Sequence, residues 1–404
     1  MSEFFTTAST VDTAHLGRLL ADVASVPGLA ERYEHLDTIN AAEDLAKVPV
    51  MLKTDLQLAL THLRPRAASG TTWVFQSGGS TGSPMFGYAP TGLYMAEVRD
   101  HWAALDADDV VVNAWSAGKM WGAHYLVNEL VDLAGCTGMC LGAIAKSEYT
   151  PWFEFFAAQR VTAIGGTPSV LRLLFAHGRE HGLKLPDLRK VLWLGEAWDR
   201  HLDADIAAVA PSARRWGMFG STETWVVATN TPDCAADTWH LMPSQLVHFG
   251  EDDLLDFTSL KPHGLNPVLR YRTGDAGRLV TCTCGDPGPA LQVLGRRDGL
   301  VKFRGHLVNV ADLVDQVSGV DGVHRAQLVV HEYEDRGSML EVLVLAGQDG
   351  AAVADRVREH ILASAFGPSI VFQRNPDSLR VSVVDALVSN ERTGKTANLV
   401  VRQG

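Results

Sequence analysis

The stretch VTAIGGTPSVLRLLFAHGREHGLKLPDLRKVLWL, residues 161–194, carries the clearest pattern in the chain. Its two ends, residues 161–164 and 191–194, are short apolar runs that contain β-branched residues, which favours strands. Between them, residues 170–181 have apolar side chains at helical spacing. Another short valine run, residues 110–112, lies upstream. Strands that alternate with helices predict an α/β fold whose sheet is mostly parallel and covered by helices on both faces.

Two further parts of the chain extend this prediction. Leucines and valines recur at helical spacing between residues 16 and 26 and predict a helix. A chain of 404 residues exceeds the usual size of a single core. From residue 301 the pattern changes to a compact α+β unit of about 100 residues, a common domain size. Its predicted helices are residues 311–317 and 351–366, and its clearest strands are residues 326–331, 340–346 and 380–384. We therefore predict a large N-terminal domain of layered sheets and helices, residues 1–297, and a small mobile C-terminal domain, residues 298–404.

Charge and composition disfavour several classes of protein. The formal net charge is −12, whereas a general nucleic-acid binder needs a basic face to neutralise phosphates. The apolar runs are short and broken by charges, so no segment is expected to span a bilayer. The first ten residues lack a basic segment followed by an apolar core, so we expect no signal peptide and a cytoplasmic location. Five cysteines, an odd number in a chain of this size, predict no disulfide framework.

A glycine-rich loop, SGGSTGSP at residues 77–84, follows the apolar run WVF at residues 73–75. Glycines let backbone N–H groups approach an anion closely, and hydroxyl groups can donate to phosphate oxygens. The loop differs from a Walker motif, because that motif continues into Gly-Lys-Ser/Thr and this loop continues into Ser83 and Pro84. Taken alone, it indicates either a phosphate site or an ordinary Gly/Ser turn.

Several more motifs follow this loop in order. They are LGEA (194–197), MFGSTET (218–224), LRYRTGD (269–275), GRRDGLVKFRG (295–305) and ERTGK (391–395). The ordered set resembles the adenylate-forming superfamily of acyl-CoA synthetases, luciferases and peptide-synthetase adenylation domains. The segments GSPMFGY (82–88), WGAHY (121–125) and GTPS (166–169) are similar to its phenylacetate-CoA ligase branch. The resemblance implies activation of a carboxylic acid, an aryl acid by analogy with the branch, as its acyl-adenylate with release of pyrophosphate. Transfer of the acyl group to a thiol, that of coenzyme A, would follow.

By the same resemblance, most motif residues bind ATP. The loop residues Ser77, Gly78, Gly79, Ser80, Thr81 and Gly82 would hold the β- and γ-phosphates. The adenine and its surroundings would be bound by Gly195, Glu196, Ala197, Phe219, Gly220 and Ser221. Glu223 would bind Mg²⁺, for which a carboxylate is a suitable hard ligand, and Thr222 would contact the α-phosphate. Asp275 and Arg296 would contact the ribose.

Three residues of the predicted C-terminal domain complete the implied mechanism. Lys395 would bridge the carboxylate and phosphate oxygens, where a compact cation stabilises the charge that develops between them. Asp298 would be the hinge about which the small domain turns, although Gly299 stands where many relatives have a second acid. Lys302 would line the path of coenzyme A. The alternative for Lys395 is an ordinary exposed lysine near the end of the chain.

A second group of residues has the chemistry of metal ligands: Cys234, His240, Cys282 and Cys284. Three thiolates and one imidazole are a typical ligand set for structural zinc. The phenylacetate-CoA ligase branch often has a similar arrangement at this place. The alternative is a set of incidental buried thiols. The remaining cysteines, Cys136 and Cys140, are expected in the core.

The acyl group would lie, by resemblance, between three segments rich in aromatic residues. The pocket residues so implied are Trp115, Trp121, His124, Tyr125, Gly166, Thr167 and Trp198. Aromatic side chains suit a flat or aryl acid, but they are also common in cores. His124 could equally be a structural histidine.

Other functions are compatible with the sequence. The acyl group could pass to a carrier protein or an amine, or AMP itself could be moved onto a cofactor hydroxyl, as in the related coenzyme F390 synthetases. A non-enzymatic sensor of nucleotide or acyl-AMP is a further alternative, which the presence of Lys395, Glu223 and Asp275 disfavours. The expected partner is a small carboxylic acid, and a homodimer is implied by the resemblance only.

Overall fold

The computed structural model describes residues 4–36, 38–39, 41–77, 85–296, 300–303, 306–332, 338–347, 349–363, 372–373, 376–389 and 395–403. The helices in these ranges are α1 (Thr13–Ala24), α2 (Ala30–Tyr33), α3 (Lys53–Leu63), α4 (Met95–Trp102), α5 (Ala123–Ala134), α6 (Tyr149–Ala158), α7 (Pro168–Glu180), α8 (Leu202–Val209), α9 (Val310–Ser318) and α10 (Gly350–Ala363). The strands are β1 (Phe4–Thr6), β2 (Thr72–Gln76), β3 (Phe86–Pro90), β4 (Val110–Asn113), β5 (Thr137–Met139), β6 (Ala163–Gly166), β7 (Lys190–Leu194), β8 (Arg214–Ser221), β9 (Trp225–Asn230), β10 (Thr238–Leu241), β11 (Gln245–Phe249), β12 (Leu254–Ser259), β13 (Tyr271–Thr281), β14 (Pro289–Arg296), β15 (Leu300–Phe303), β16 (His306–Asn309), β17 (Val323–Glu332), β18 (Met339–Ala346), β19 (Leu379–Val383) and β20 (Leu399–Gln403).

One large mixed sheet forms the centre of the N-terminal part. Its twelve strands run in the order β1-β11-β12-β13-β14-β10-β9-β8-β7-β6-β4-β5. Strands β5, β4, β6, β7 and β8 are parallel to one another, as the strand and helix signals of residues 110–194 predict. From β8 through β9, β10 and β14 to β1 the strands pair antiparallel. The sheet is therefore parallel on one side and antiparallel on the other.

Helices cover both faces of the parallel half. Successive side chains of a strand point to opposite faces, so Val111 packs with residues of α4 and α5, whereas Val112 packs with residues of α6, α7 and α8. The antiparallel half is covered by a third cluster, in which side chains of α1 and α3 pack with Tyr271 and Leu246. The predicted α/β class and the predicted N-terminal helix are confirmed.

A smaller C-terminal domain has its own sheet and core. Its four strands run in the order β19-β18-β17-β20, and α9 and α10 pack on this sheet. The sequence predicted these two helices and the strands β17, β18 and β19, but not β20, which pairs parallel with β17. The predicted boundary between residues 297 and 298 and the hinge residue Asp298 lie outside the described residues. Among those that are described, no helix combines the length and apolar character needed to cross a bilayer.

Candidate active site

The turn between β8 and β9 presents Thr222 and Glu223. Its two flanking residues lock the turn, because Ser221 N donates to Thr224 Oγ1 and Thr224 N donates to Ser221 Oγ, each at 3.2 Å. Gly220, just before it, has no room for a side chain, since a Cβ there would lie 1.8 Å from the carbonyl oxygen of Trp225. The sequence GSTET therefore forms a rigid turn that fixes the direction of both central residues.

The carboxylate of Glu223 is held by a residue of β13, which β14 and β10 separate from β9 in the sheet. Glu223 is 8% exposed, and the Tyr271 hydroxyl donates to its Oε1 at 2.9 Å. Burial and the adjacent Glu223 raise the pKa of Tyr271 far above its ordinary value, so the phenol keeps its proton and remains a donor. Further along β13, Asp275 lies opposite Arg296 of β14, and both act electrostatically on Tyr271. The predicted magnesium and ribose residues are thus gathered around Tyr271.

A cavity opens beside this turn. Its wall includes seven residues that the sequence predicted: Trp121, Gly195, Phe219, Gly220, Ser221, Thr222 and Lys395. Met218, which belongs to the predicted motif MFGSTET, also lines the cavity, whereas the sequence did not single out the apolar residues Phe75, Leu126, Trp225 and Val226 of this wall. Trp225 directly follows the STET motif, and Phe75 closely precedes the glycine-rich loop. Their nearness to these motifs is the feature of the sequence that could have predicted a place in the cavity wall.

The Lys395 ammonium enters this cavity from the C-terminal domain. Its Nζ lies 5.4 Å from the centroid of the Trp121 ring. A Cβ added to Gly195 would lie 2.8 Å from Nζ, and Gly195 has φ +92°, a conformation that favours glycine. Burial lowers the pKa of Lys395, while the carboxylates of Glu196 and Glu223 act in the opposite direction. The cation therefore stands in a shielded place close to the β8–β9 turn.

Three predicted pocket residues lie in the core or at the rim. Trp115 is fully buried and packs beneath β6. His124 Nδ1 forms a hydrogen bond of 2.8 Å with the carbonyl oxygen of Trp115, which is the structural alternative considered for this histidine. Tyr125 is 42% exposed, and its ring centroid lies 5.7 Å from that of Phe75 on the cavity wall.

The remaining predicted residues of this region shape the turns around the cavity. Gly166 ends β6, and Thr167 caps α7 by accepting from Val170 N. Trp198 packs on the core through Trp193, with ring centroids 5.3 Å apart.

Glu196 turns its carboxylate toward the C-terminal domain. Its Oε2 accepts hydrogen bonds from the backbone N–H and the hydroxyl of Ser169. The same oxygen lies 3.7 Å from Arg325 Nη2 of β17. Ala197, the next residue, is exposed. The LGEA motif thus lies at the boundary between the two domains as well as at the cavity.

The glycine-rich loop is described only at Ser77, its first residue, and at Met85, the residue that follows it. Ser77 N donates to the carbonyl oxygen of Met85 at 2.6 Å, and Met85 N donates to Ser77 Oγ at 2.8 Å, so the two ends of the loop are joined. The predicted phosphate residues Gly78, Gly79, Ser80, Thr81 and Gly82 lie outside the described residues. Lys302 lies in β15, and its side chain is likewise outside the description.

The four predicted metal ligands converge in a separate place. The ligand atoms of Cys234, His240, Cys282 and Cys284 all lie within 4.8 Å of one another. Zn–S bonds of about 2.3 Å would put tetrahedral ligands about 3.8 Å apart, so the group fits a tetrahedral metal ion. The hydrogen bond with Cys234 raises the pKa of His240 to about 9. Burial acts to raise the pKa of Cys234, but its hydrogen bonds with His240, Thr231 and Cys282 together outweigh burial and lower that pKa to about 6. With four protein ligands, such a site leaves no open position for a reactant.

The prediction for the other two cysteines was half wrong. Cys136 is half-buried and packs against the core, but Cys140 is exposed. Cys140 follows β5, the edge strand of the large sheet, so no neighbouring strand covers it.

The chain was compared with known proteins. The sequence model of the AMP-binding enzymes matches residues 16–246. Phenyloxazoline synthase MbtB of Mycobacterium tuberculosis is 25% identical over 367 residues, which cover 78% of this chain and 24% of MbtB. Phenylacetate-coenzyme A ligase of Aromatoleum evansii is 24% identical over 303 residues, which cover 67% of this chain and 65% of that enzyme. The chain thus spans less than two thirds of the length of either relative.

A solved structure shares the fold. It is the crystal structure of 2-hydroxyisobutyryl-CoA ligase in the postadenylation state with 2-HIB-AMP. It has a TM-score of 0.71 and 16% identity, and the match covers 98% of this chain and 91% of the ligase.

Proposed function

The chain belongs to the family of AMP-binding enzymes, within the adenylate-forming superfamily, and on this premise we propose an ATP-dependent acid–thiol ligase. The first step joins a carboxylic acid to AMP: a carboxylate oxygen attacks the α-phosphorus, and pyrophosphate leaves. The second step transfers the acyl group to a thiol sulfur, most simply that of coenzyme A, and AMP leaves.

The observation that carries the proposal is the position of Lys395. Its ammonium enters a cavity whose wall includes Thr222. A carboxylate and a phosphate repel each other, and a cation held between their oxygens stabilises the charge of the transition state. Glu223, oriented by Tyr271, would bind Mg²⁺ there, and the ion when bound would offset the charge of the triphosphate.

The other nucleotide residues keep the roles that the resemblance implies. The glycine-rich loop from Ser77 to Gly82 would hold the outer phosphates. Asp275 and Arg296, which face each other across β13 and β14, would contact the ribose. Asp298 would serve as the hinge, and Lys302 would face coenzyme A.

The cavity wall supports an apolar acyl group. Phe75 and Trp225 pack edge to face with ring centroids 5.6 Å apart, and Leu126, Met218 and Val226 add aliphatic surface. Such a lining favours an aryl or other flat apolar acid over a charged one. Coenzyme A as acceptor is supported by the match to a phenylacetate-coenzyme A ligase. MbtB, the other relative, is named a phenyloxazoline synthase and not a CoA ligase. We therefore keep transfer to a carrier protein or an amine as the second candidate.

We also propose that the cysteine–histidine group holds a structural zinc ion. Cys234 follows β9 and His240 lies in β10, whereas Cys282 and Cys284 follow β13. A bound ion would therefore tie together two parts of the antiparallel half of the sheet. The homodimer and the cytoplasmic location stay predictions from the sequence.

ATP–pyrophosphate exchange across a panel of aryl, alkenyl and short-chain acids tests the proposed function. Some acids should support exchange, and Lys395→Ala should reduce it by about 10²–10³-fold, as for other groups that stabilise transition-state charge. Lys47→Ala, at an exposed lysine distant in sequence, is the matched control and should exchange normally. Acid-dependent formation of AMP that becomes faster when coenzyme A is added would identify coenzyme A as the acceptor. ATP binding without exchange for any acid would favour AMP transfer to a hydroxyl or a sensor instead.

A further inference from the structure

A buried arginine lies between the two domains. Arg172 belongs to α7 and is 4% exposed. Its Nη1 forms an ion pair with Asp205 Oδ2 of α8, and Asp205 is fully buried. A buried guanidinium paired in this way is held firmly in one orientation. The pair therefore fixes the direction in which the other donors of Arg172 point.

Those other donors cross to the C-terminal domain. Arg172 Nε donates to the carbonyl oxygen of His324 at 2.9 Å, and Nη2 approaches the carbonyl oxygen of Val323 at 3.4 Å. Both carbonyls lie at the start of β17. Because the acceptors are backbone atoms, these bonds fix the strand itself rather than a mobile side chain. They exist only while β17 lies against α7.

A buried glutamine further along β17 reaches the segment that carries Lys395. Gln327 Nε2 donates to the carbonyl oxygens of Val388 and Ala397, at 2.8 and 2.7 Å. Its Oε1 accepts from Val388 N at 2.9 Å. Gln327 has no exposed surface, so water does not compete for these bonds.

Val388 and Ala397, the two residues that Gln327 hydrogen-bonds, lie on either side of Lys395 in the sequence. Between them, Ser389 and Thr396 form an antiparallel bridge that brings the two arms of the segment together. The backbone next to Lys395 is thus tied to β17, and β17 is tied to α7 by Arg172. A continuous set of hydrogen bonds joins the large domain to the residue whose ammonium enters the cavity.

We propose that Arg172 is a positioning residue for Lys395, acting through β17 and Gln327. The proposal rests on the proposed function insofar as Lys395 serves the adenylation step. Arg172 does not line the cavity. It raises the fraction of molecules in which β17 is docked and the ammonium lies in the cavity. Loss of the hydrogen bonds between Arg172 and β17 should slow adenylation without weakening the binding of ATP to the large domain.

Arg172→Lys tests the proposal, with Arg179→Lys as its control. Lysine keeps a positive charge beside the buried Asp205, but an ammonium lacks the planar fork that serves Asp205 together with the carbonyl oxygens of His201, Val323 and His324. Arg179 lies on the same helix and pairs with the same Asp205 at 3.0 Å, but it is 43% exposed and its pair lies within the large domain. Both variants therefore perturb Asp205, and only Arg172→Lys perturbs the docking of β17.

Two measurements are made on each variant. The first is the reactivity of Lys395 toward an acetylating reagent, read by mass spectrometry without substrate; it should rise about 5- to 30-fold in Arg172→Lys, the size expected for one or two lost hydrogen bonds. The second is pyrophosphate exchange, which should fall by a similar factor while the Kd for ATP stays unchanged. Gln327→Met removes the hydrogen bonds to Val388 and Ala397 and should increase the labelling of Lys395 in the same way.

The outcomes separate this proposal from the proposed function. Labelling of Lys395 that is the same in Arg172→Lys, Gln327→Met and Arg179→Lys would overturn the positioning role. Increased labelling in the first two variants supports that role even if the unmodified enzyme shows no exchange with any acid, a result that would count against the proposed function alone.

Discussion

A methyl group added at Gly195 would meet the Lys395 side chain directly. The Cβ of Gly195→Ala would lie 2.8 Å from Nζ and 2.9 Å from Cε. Ordinary contacts between such atoms are about 3.5 Å or longer, so the ammonium must move by about 0.7 Å. Because Nζ is the flexible end of a long side chain, this movement costs little stability. Its consequence is a displaced cation.

The distance by which the Lys395 ammonium moves gives the expected loss of adenylation rate. A shift of about 1 Å in a catalytic group can cost about 10²-fold in rate, so we expect adenylation by Gly195→Ala to fall by about 10- to 100-fold. The φ of +92° adds a backbone cost of about 1–2 kcal/mol, which lowers stability but not the intrinsic rate. The assay is ATP–pyrophosphate exchange at saturating ATP and acid, together with thermal unfolding.

Gly182→Ala separates the two effects. Gly182 also has a positive φ, +67°, but a Cβ there would meet no heavy atom within 4 Å. This variant should lose stability in the same way and keep its exchange rate. If Gly195→Ala exchanges as fast as Gly182→Ala, the position of the Lys395 ammonium beside Gly195 does not set the rate of adenylation.

Two further predictions concern the metal group and the pH dependence. The purified protein should contain about one zinc ion per chain, and Cys282→Ser should lose it and unfold at a lower temperature, whereas Cys140→Ser, at an exposed thiol, should keep both properties. Elemental analysis and thermal scans measure this, and unmodified protein that is stable and free of zinc would contradict it. Since burial lowers the pKa of Lys395, adenylation should decline at alkaline pH before the ordinary lysine value of 10.5 is reached. Over that interval unfolded chains keep the Lys395 proton that folded chains have released, so the contribution of Lys395 to the free energy of unfolding rises with pH. The titration of Lys395 therefore does not itself destabilise the fold, and a thermal unfolding scan at each pH separates the loss of activity from unfolding. A pH–rate profile that is flat up to 10.5 would contradict this prediction.

The motif residues could be predicted because their chemistry is local. The β8–β9 turn is held by Ser221 and Thr224, which lie within four residues of each other, so its shape follows from the short sequence itself. The same holds for the thiol pair of Cys282 and Cys284.

The acyl pocket could be predicted only in part. Trp115 and Tyr125 lie in equally aromatic segments, yet one is buried in the core and the other is exposed at the rim. An aromatic residue contributes similar apolar surface in either place, so composition does not distinguish the two. Phe75 reaches the cavity wall because β2 brings it against Trp225, a contact across 150 positions of the chain.

The sequence by itself determined the alternation of strands and helices, the nucleotide motifs and the metal-ligand set, because periodicity and short-range hydrogen bonding act between near neighbours. Only the tertiary structure decided that a single sheet is parallel on one side and antiparallel on the other, and that Arg172 reaches the backbone of β17. Arg172 and His324 are 152 positions apart. Contacts at such separations depend on how whole elements pack, and no local pattern records which buried arginine will face which strand.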